Sequence, residues 1–76
     1  MPWTRKLPEP ITLTDGRTLS TLADARAVML ALPEATRRKE LWIYTAGLMY
    51  ETANGRGGMT ATVASLTRRL KDEGLI

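Results

Sequence analysis

The sequence predicts a small α+β domain, mostly helical, in which an N-terminal extended arm and a β-hairpin at about residues 11–20 pack on three helices, at about 22–32, 34–53 and 60–73. Three observations point there. Apolar residues alternate with threonines on both sides of an Asp-Gly pair in Ile11-Thr12-Leu13-Thr14-Asp15-Gly16-Arg17-Thr18-Leu19-Ser20, the pattern of two strands joined by a tight turn. Beyond it, apolar residues recur at helical spacing in segments separated by Pro33 and by Asn54-Gly55. Before it, residues 1–10 carry three prolines, which remove amide donors and favour extended backbone. A chain of 76 residues has room for one domain, 1–76, close to the lower size limit for unaided folding.

Each element follows from its residues. In the arm, Trp3 and Leu7 are the large apolar groups, expected to fold back onto the core; a free arm that offers Trp3 to a partner is the alternative. For the hairpin, a two-residue loop sends Leu13 and Leu19 to opposite faces. A three-residue loop Thr14-Asp15-Gly16, with Gly16 left-handed in a G1 bulge, pairs Leu13 with Arg17 and Ile11 with Leu19. That register gathers Ile11, Leu13 and Leu19 on one face and is preferred, the face lying on the helices because a lone hairpin is barely stable.

Thr21 caps the first helix, with Asp24 favourable to its dipole and Leu22, Ala25, Val28, Met29 and Leu32 on its buried side. Pro33 ends it and starts the second helix, which runs to about Ala53. Met59-Thr60 opens the third, with Met59, Val63, Leu66 and Leu70 as its stripe, and Gly74-Leu75 fits a Schellman cap in which Leu75 meets Leu70.

The second helix stands apart. At about 100° per residue its polar positions Arg37, Glu40, Gly47 and Glu51 share one narrow sector with Tyr44, while the apolar and threonine arc covers roughly 220°, about twice the usual buried stripe. Either this helix is central and covered on several sides, or its edge Ile43, Gly47, Tyr50, spaced i, i+4, i+7, meets a protein partner or a second copy, with Trp3 nearby. Gly47 costs about 1 kcal/mol against alanine in a helix interior, which a close backbone approach would explain.

Composition removes much chemistry. Without cysteine or histidine there are no disulfides, no usual zinc ligands and no histidine-based catalysis, so no metal and no cofactor is expected. No carboxylate pair stands out for acid–base work, and an enzyme is not expected. The start lacks the apolar run of a secretory signal and the longest apolar stretch is half a membrane span, which predicts a soluble cytoplasmic protein without membrane contact.

A net charge of +3 is a modest excess. Arg37, Arg38 and Lys39 at the start of the second helix, with Arg68, Arg69 and Lys71 on the polar side of the third beside Thr62 and Ser65, form the alternative site, one for nucleic acid. Neighbouring acids argue for ordinary charged faces, through Glu34 with Arg38 and Arg37 with Glu40. Asn54-Gly55-Arg56-Gly57-Gly58 lacks the lysine of a P-loop and reads as a connection between helices.

The start, Trp3-Thr4-Arg5-Lys6-Leu7-Pro8 followed by Asp15-Gly16-Arg17-x-Leu19-x-Thr21-Leu22-x-Asp24-Ala25, resembles that of a group of short uncharacterised bacterial proteins, chiefly alphaproteobacterial. The resemblance is specific over residues 3–25 and looser over the helices, and it implies a small bacterial domain with no activity or site residue to carry over. Taken together, the residues predict a non-catalytic binding or regulatory domain that uses the apolar second helix.

Overall fold

The computed structural model describes residues 2–76; Met1, at the start of the expected arm, lies outside them. Pro2–Thr4 forms a single 3-10 turn, followed by strands β1 (Lys6–Thr12) and β2 (Thr18–Thr21) and helices α1 (Leu22–Leu30), α2 (Glu34–Arg37), α3 (Glu40–Ala53) and α4 (Met59–Asp72). This is the α+β architecture expected, a two-stranded antiparallel hairpin laid on helices.

The hairpin has the three-residue loop. Ile11 pairs with Leu19 and Thr12 with Thr18, and the Leu13 amide donates to the Arg17 carbonyl at 2.7 Å. Gly16 sits at φ +92°, a region that a side chain disfavours. Asp15 accepts from the Arg17 amide and guanidinium, and those bonds hold its carboxyl below the ordinary aspartate value. Leu13 and Leu19 are buried and Ile11 is half-buried against the same core.

The expected extended arm departs from the expectation in two ways. Its first residues coil into the 3-10 turn, and its second half is strand: Lys6 pairs with Thr21, with the register shifted between Lys6 and Ile11. Pro8 and Pro10 fall in that shift, where their missing donors do least damage to the ladder. Leu7 is thereby carried into the core.

Helix α1 begins at a full capping box. Thr21 accepts from the Asp24 amide, and Asp24 accepts from the amides of Thr21 and Ser20, which lowers its pKa. At the other end of the chain the Schellman cap is present: Gly74 has φ +73°, its amide donates to Lys71, and the Leu75 amide donates to Leu70 at 2.9 Å.

The helix expected over 34–53 is divided. Lys39 leaves helical backbone, with φ −59° and ψ 137°, so α2 is a single turn and α3 starts afresh at Glu40. Neither proline nor glycine stands at the break; tertiary contacts accompany it. Glu73, just past α4, accepts from Lys39 Nζ at 3.1 Å and from the Trp42 indole at 3.4 Å, which ties the restart of α3 to the end of α4. Trp42, Met49, Leu22, Leu66 and Leu70 then form the centre of the core.

Candidate protein interface

Helix α3 has two unlike sides. Trp42, Thr45, Met49, Thr52 and Ala53 face inward and are buried. Outward, Ile43 is 60 % exposed, Tyr44 62 %, Leu41 55 % and Tyr50 44 %. The helix is therefore not covered all round: the margins of its wide apolar arc, Leu41 on one flank and Ile43 and Tyr50 on the other, stay open. Gly47 lies among them, and a Cβ built on it would meet nothing within 4 Å. Among the described residues no packing requirement accounts for a glycine there.

What orients α3 is a seam of hydroxyls against α4. Thr45, Thr52 and Thr62 are fully buried. Thr45 donates to the Leu41 carbonyl at 2.8 Å and lies 2.7 Å from the Ser65 hydroxyl, while Thr52 and Thr62 share a hydrogen bond. Thr62 has further acceptors within reach in the carbonyls of Gly58 and Leu48. Buried hydroxyls need partners, so this pairing favours one rotation of α3 about its axis and hence the face it presents outward. Thr62, expected on a polar outer side of the third helix, is instead part of its inner face. Val63, expected in the buried stripe, is half-buried at its margin.

At one end of the open face, Tyr50 is braced. Trp3 stands edge-on to it, and the Arg26 guanidinium carbon lies 5.1 Å from the centre of the Trp3 ring. Among the described residues the buried Arg26 Nε has no conventional acceptor, in keeping with a guanidinium set against an aromatic face. Arg5 adds a tether from just before β1, donating to the Thr52 carbonyl at 2.6 Å, in the last turn of α3. Trp3 is thus packed within the chain rather than offered on a free arm. It braces Tyr50, at one end of the edge formed with Ile43 and Gly47.

The basic residues are mostly engaged. Arg38 pairs with Glu34 at 2.7 Å, Lys39 with Glu73, and Arg68 and Arg69 both with Asp72. Arg37 donates to the Leu32 carbonyl rather than to Glu40. Lys71 is exposed on α4. The two ends of the set do approach each other: a groove of about 360 Å³ is lined by Lys39, Glu40, Trp42, Arg69, Asp72 and Glu73. Its cations already face carboxylates.

Arg5, Arg26, Thr45 and Thr52 are structurally important residues that sequence reasoning did not single out. The spacing of Thr45 and Thr52, i and i+7 inside an apolar arc, was the available signal for the seam. No signal marked Arg26 as the neighbour of Trp3. Among the described residues no group of acidic side chains is placed to hold a metal ion, and no helix is long and apolar enough to cross a membrane. No family model matches the chain, nor does any curated protein or solved structure.

Proposed function

We propose that the chain is a non-catalytic interaction domain that docks protein through the open face of α3, centred on Ile43, Gly47 and Tyr50 and braced by Trp3. The observation that carries this reading is Gly47. It sits mid-helix among exposed Ile43, Tyr44 and Tyr50, with no neighbour that a side chain would meet. In an exposed helix interior glycine is unfavourable by about 1 kcal/mol relative to alanine, a cost that close approach of a partner's backbone would explain. Rigid aromatic rings around a small residue are what a docking face uses as anchors. Tyr50 is already held by Trp3, so less side-chain freedom is lost on binding.

Reading the basic residues as a nucleic-acid site has less to support it. Arg38, Lys39, Arg68 and Arg69 each hold a carboxylate that a phosphate would have to displace.

The test is photo-crosslinking in cells that produce the protein, with a benzophenone amino acid at Tyr44 and, as control, at exposed Thr14. A discrete adduct from position 44 and none from position 14 is the expected result. Equal or absent labelling at the two positions would sink the reading.

A further inference from the structure

We infer that the break between α2 and α3 is a latch held by Glu73: when Glu73 releases Lys39, residues 34–53 join into one continuous helix. The local residues favour the joined state. Residues 34–46 contain neither proline nor glycine, the usual causes of a sharp helix break. Yet Lys39 stands in non-helical backbone at ψ 137° with no side-chain cap, and the amides of Glu40 and Leu41 reach no acceptor among the described residues. A continuous helix supplies both, through the carbonyls of Thr36 and Arg37. Charge points the same way. Among the described residues Arg37 pairs with no acid and Glu40 with no base. They stand i, i+3, the spacing at which a joined helix brings them together.

Little holds the broken state. No residue of α2 is buried, and Ala31 and Pro33, between α1 and α2, are exposed, so the turn can swing without opening the core. The contacts at the break are those of Glu73, which accepts from Lys39 Nζ and from the Trp42 indole, while Arg69 in the same groove is taken by Asp72. The Lys39 pair is solvent-exposed and therefore weak. A conflict between local preference and a few tertiary contacts is the setting in which two packings lie close in free energy. Joining carries the sector of Tyr44 and Gly47 on through Glu40 and Arg37, so the latch sets how far the open face reaches. The switch itself does not depend on what docks there.

Backbone NMR of the whole chain, as wild type and as Glu73→Ala, reads the Cα chemical shift at position 39 and the amide exchange of Glu40 and Leu41. The wild type is expected to show a non-helical shift and fast exchange. In Glu73→Ala the shift becomes helical and exchange at both amides slows by about tenfold, because exchange follows the population of the open state. Lys39→Ala, which removes the ion pair and keeps the indole acceptor, moves both readings in the same direction by less. A position 39 that stays non-helical in Glu73→Ala overturns the inference. So does a random-coil shift over residues 34–37, which would make Glu73 a fastener of α2 and no switch, and so does a helical Lys39 in the wild type. If Glu73→Ala does not fold, Lys39→Ala decides by the same readings.

Discussion

The Trp3 ring stands edge-on to the Tyr50 ring, with centroids 5.0 Å apart and planes at 88°. That contact fastens residues before the first strand to the last turns of α3, and it fixes one anchor of the open face. Trp3→Ala removes it together with the Arg26 stacking contact. Trp3 is half-buried, so the expected loss of stability is about 2 kcal/mol, below the cost of deleting a fully buried aromatic. Urea unfolding followed by Trp42 fluorescence measures it, and an unchanged midpoint would show that the aromatic pair is ornamental.

Gly47→Ala separates the fold from the interface. Its new Cβ meets nothing within 4 Å among the described residues, so the isolated chain gains about 1 kcal/mol of stability from helix propensity. Docking at the α3 face weakens in the same variant, because the methyl group holds a partner's backbone away. Thermal unfolding and the crosslinking yield from position 44 in cells read the two effects, which should have opposite signs.

The Thr52 and Thr62 hydroxyls, both fully buried, form a pair suited to a double-mutant cycle. Thr62→Val leaves the Thr52 hydroxyl without this partner and is expected to cost about 1–3 kcal/mol. Replacing both by valine removes two polar groups together and should cost less than the sum of the single changes. Strict additivity in chemical denaturation would mean that the hydroxyls do not act as a pair.

Asp24 gives the acid side of the stability profile a definite sign. Its carboxylate is held below the ordinary aspartate value by the amides of Ser20 and Thr21 and, secondarily, by the Thr21 side chain. The unfolded chain therefore binds this proton more readily, and the contribution is complete above the unfolded value near about pH 4 and is lost as pH falls through the lower native value. Asp24→Asn should flatten that part of the acid limb and leave stability above pH 5 independent of this group. Thermal melts across pH 2–6 decide it.

Glu73→Gln tests the link between the end of α4 and the restart of α3. The amide keeps an acceptor for the Trp42 indole and loses the ionic attraction to Lys39. A cost of about 0.5–1 kcal/mol, shrinking as salt is added, is expected because Lys39 is solvent-exposed. Glu73→Ala should cost more, since it also strands the indole N–H. Equal costs for the two would show that the indole bond contributes nothing.

By itself the sequence determined those features whose causes are local. The Asp15-Gly16 turn and its register, the Thr21 cap and the Gly74 cap each depend on residues within a few positions of one another, where side-chain chemistry and left-handed glycine leave one good answer. The width of the apolar arc on α3 was legible too, because periodicity needs no partner to be seen. What that arc touches was decided only in three dimensions. Lys39 breaks the helix where Glu73, 34 residues on, accepts from it, and Thr52 turns inward where Thr62 can satisfy its hydroxyl. Trp3 lands on Tyr50 because the 3-10 turn and the end of α3 meet there. Those contacts join positions far apart in the chain, and a pattern read along the chain carries the size and polarity of a side chain but not the identity of its neighbour.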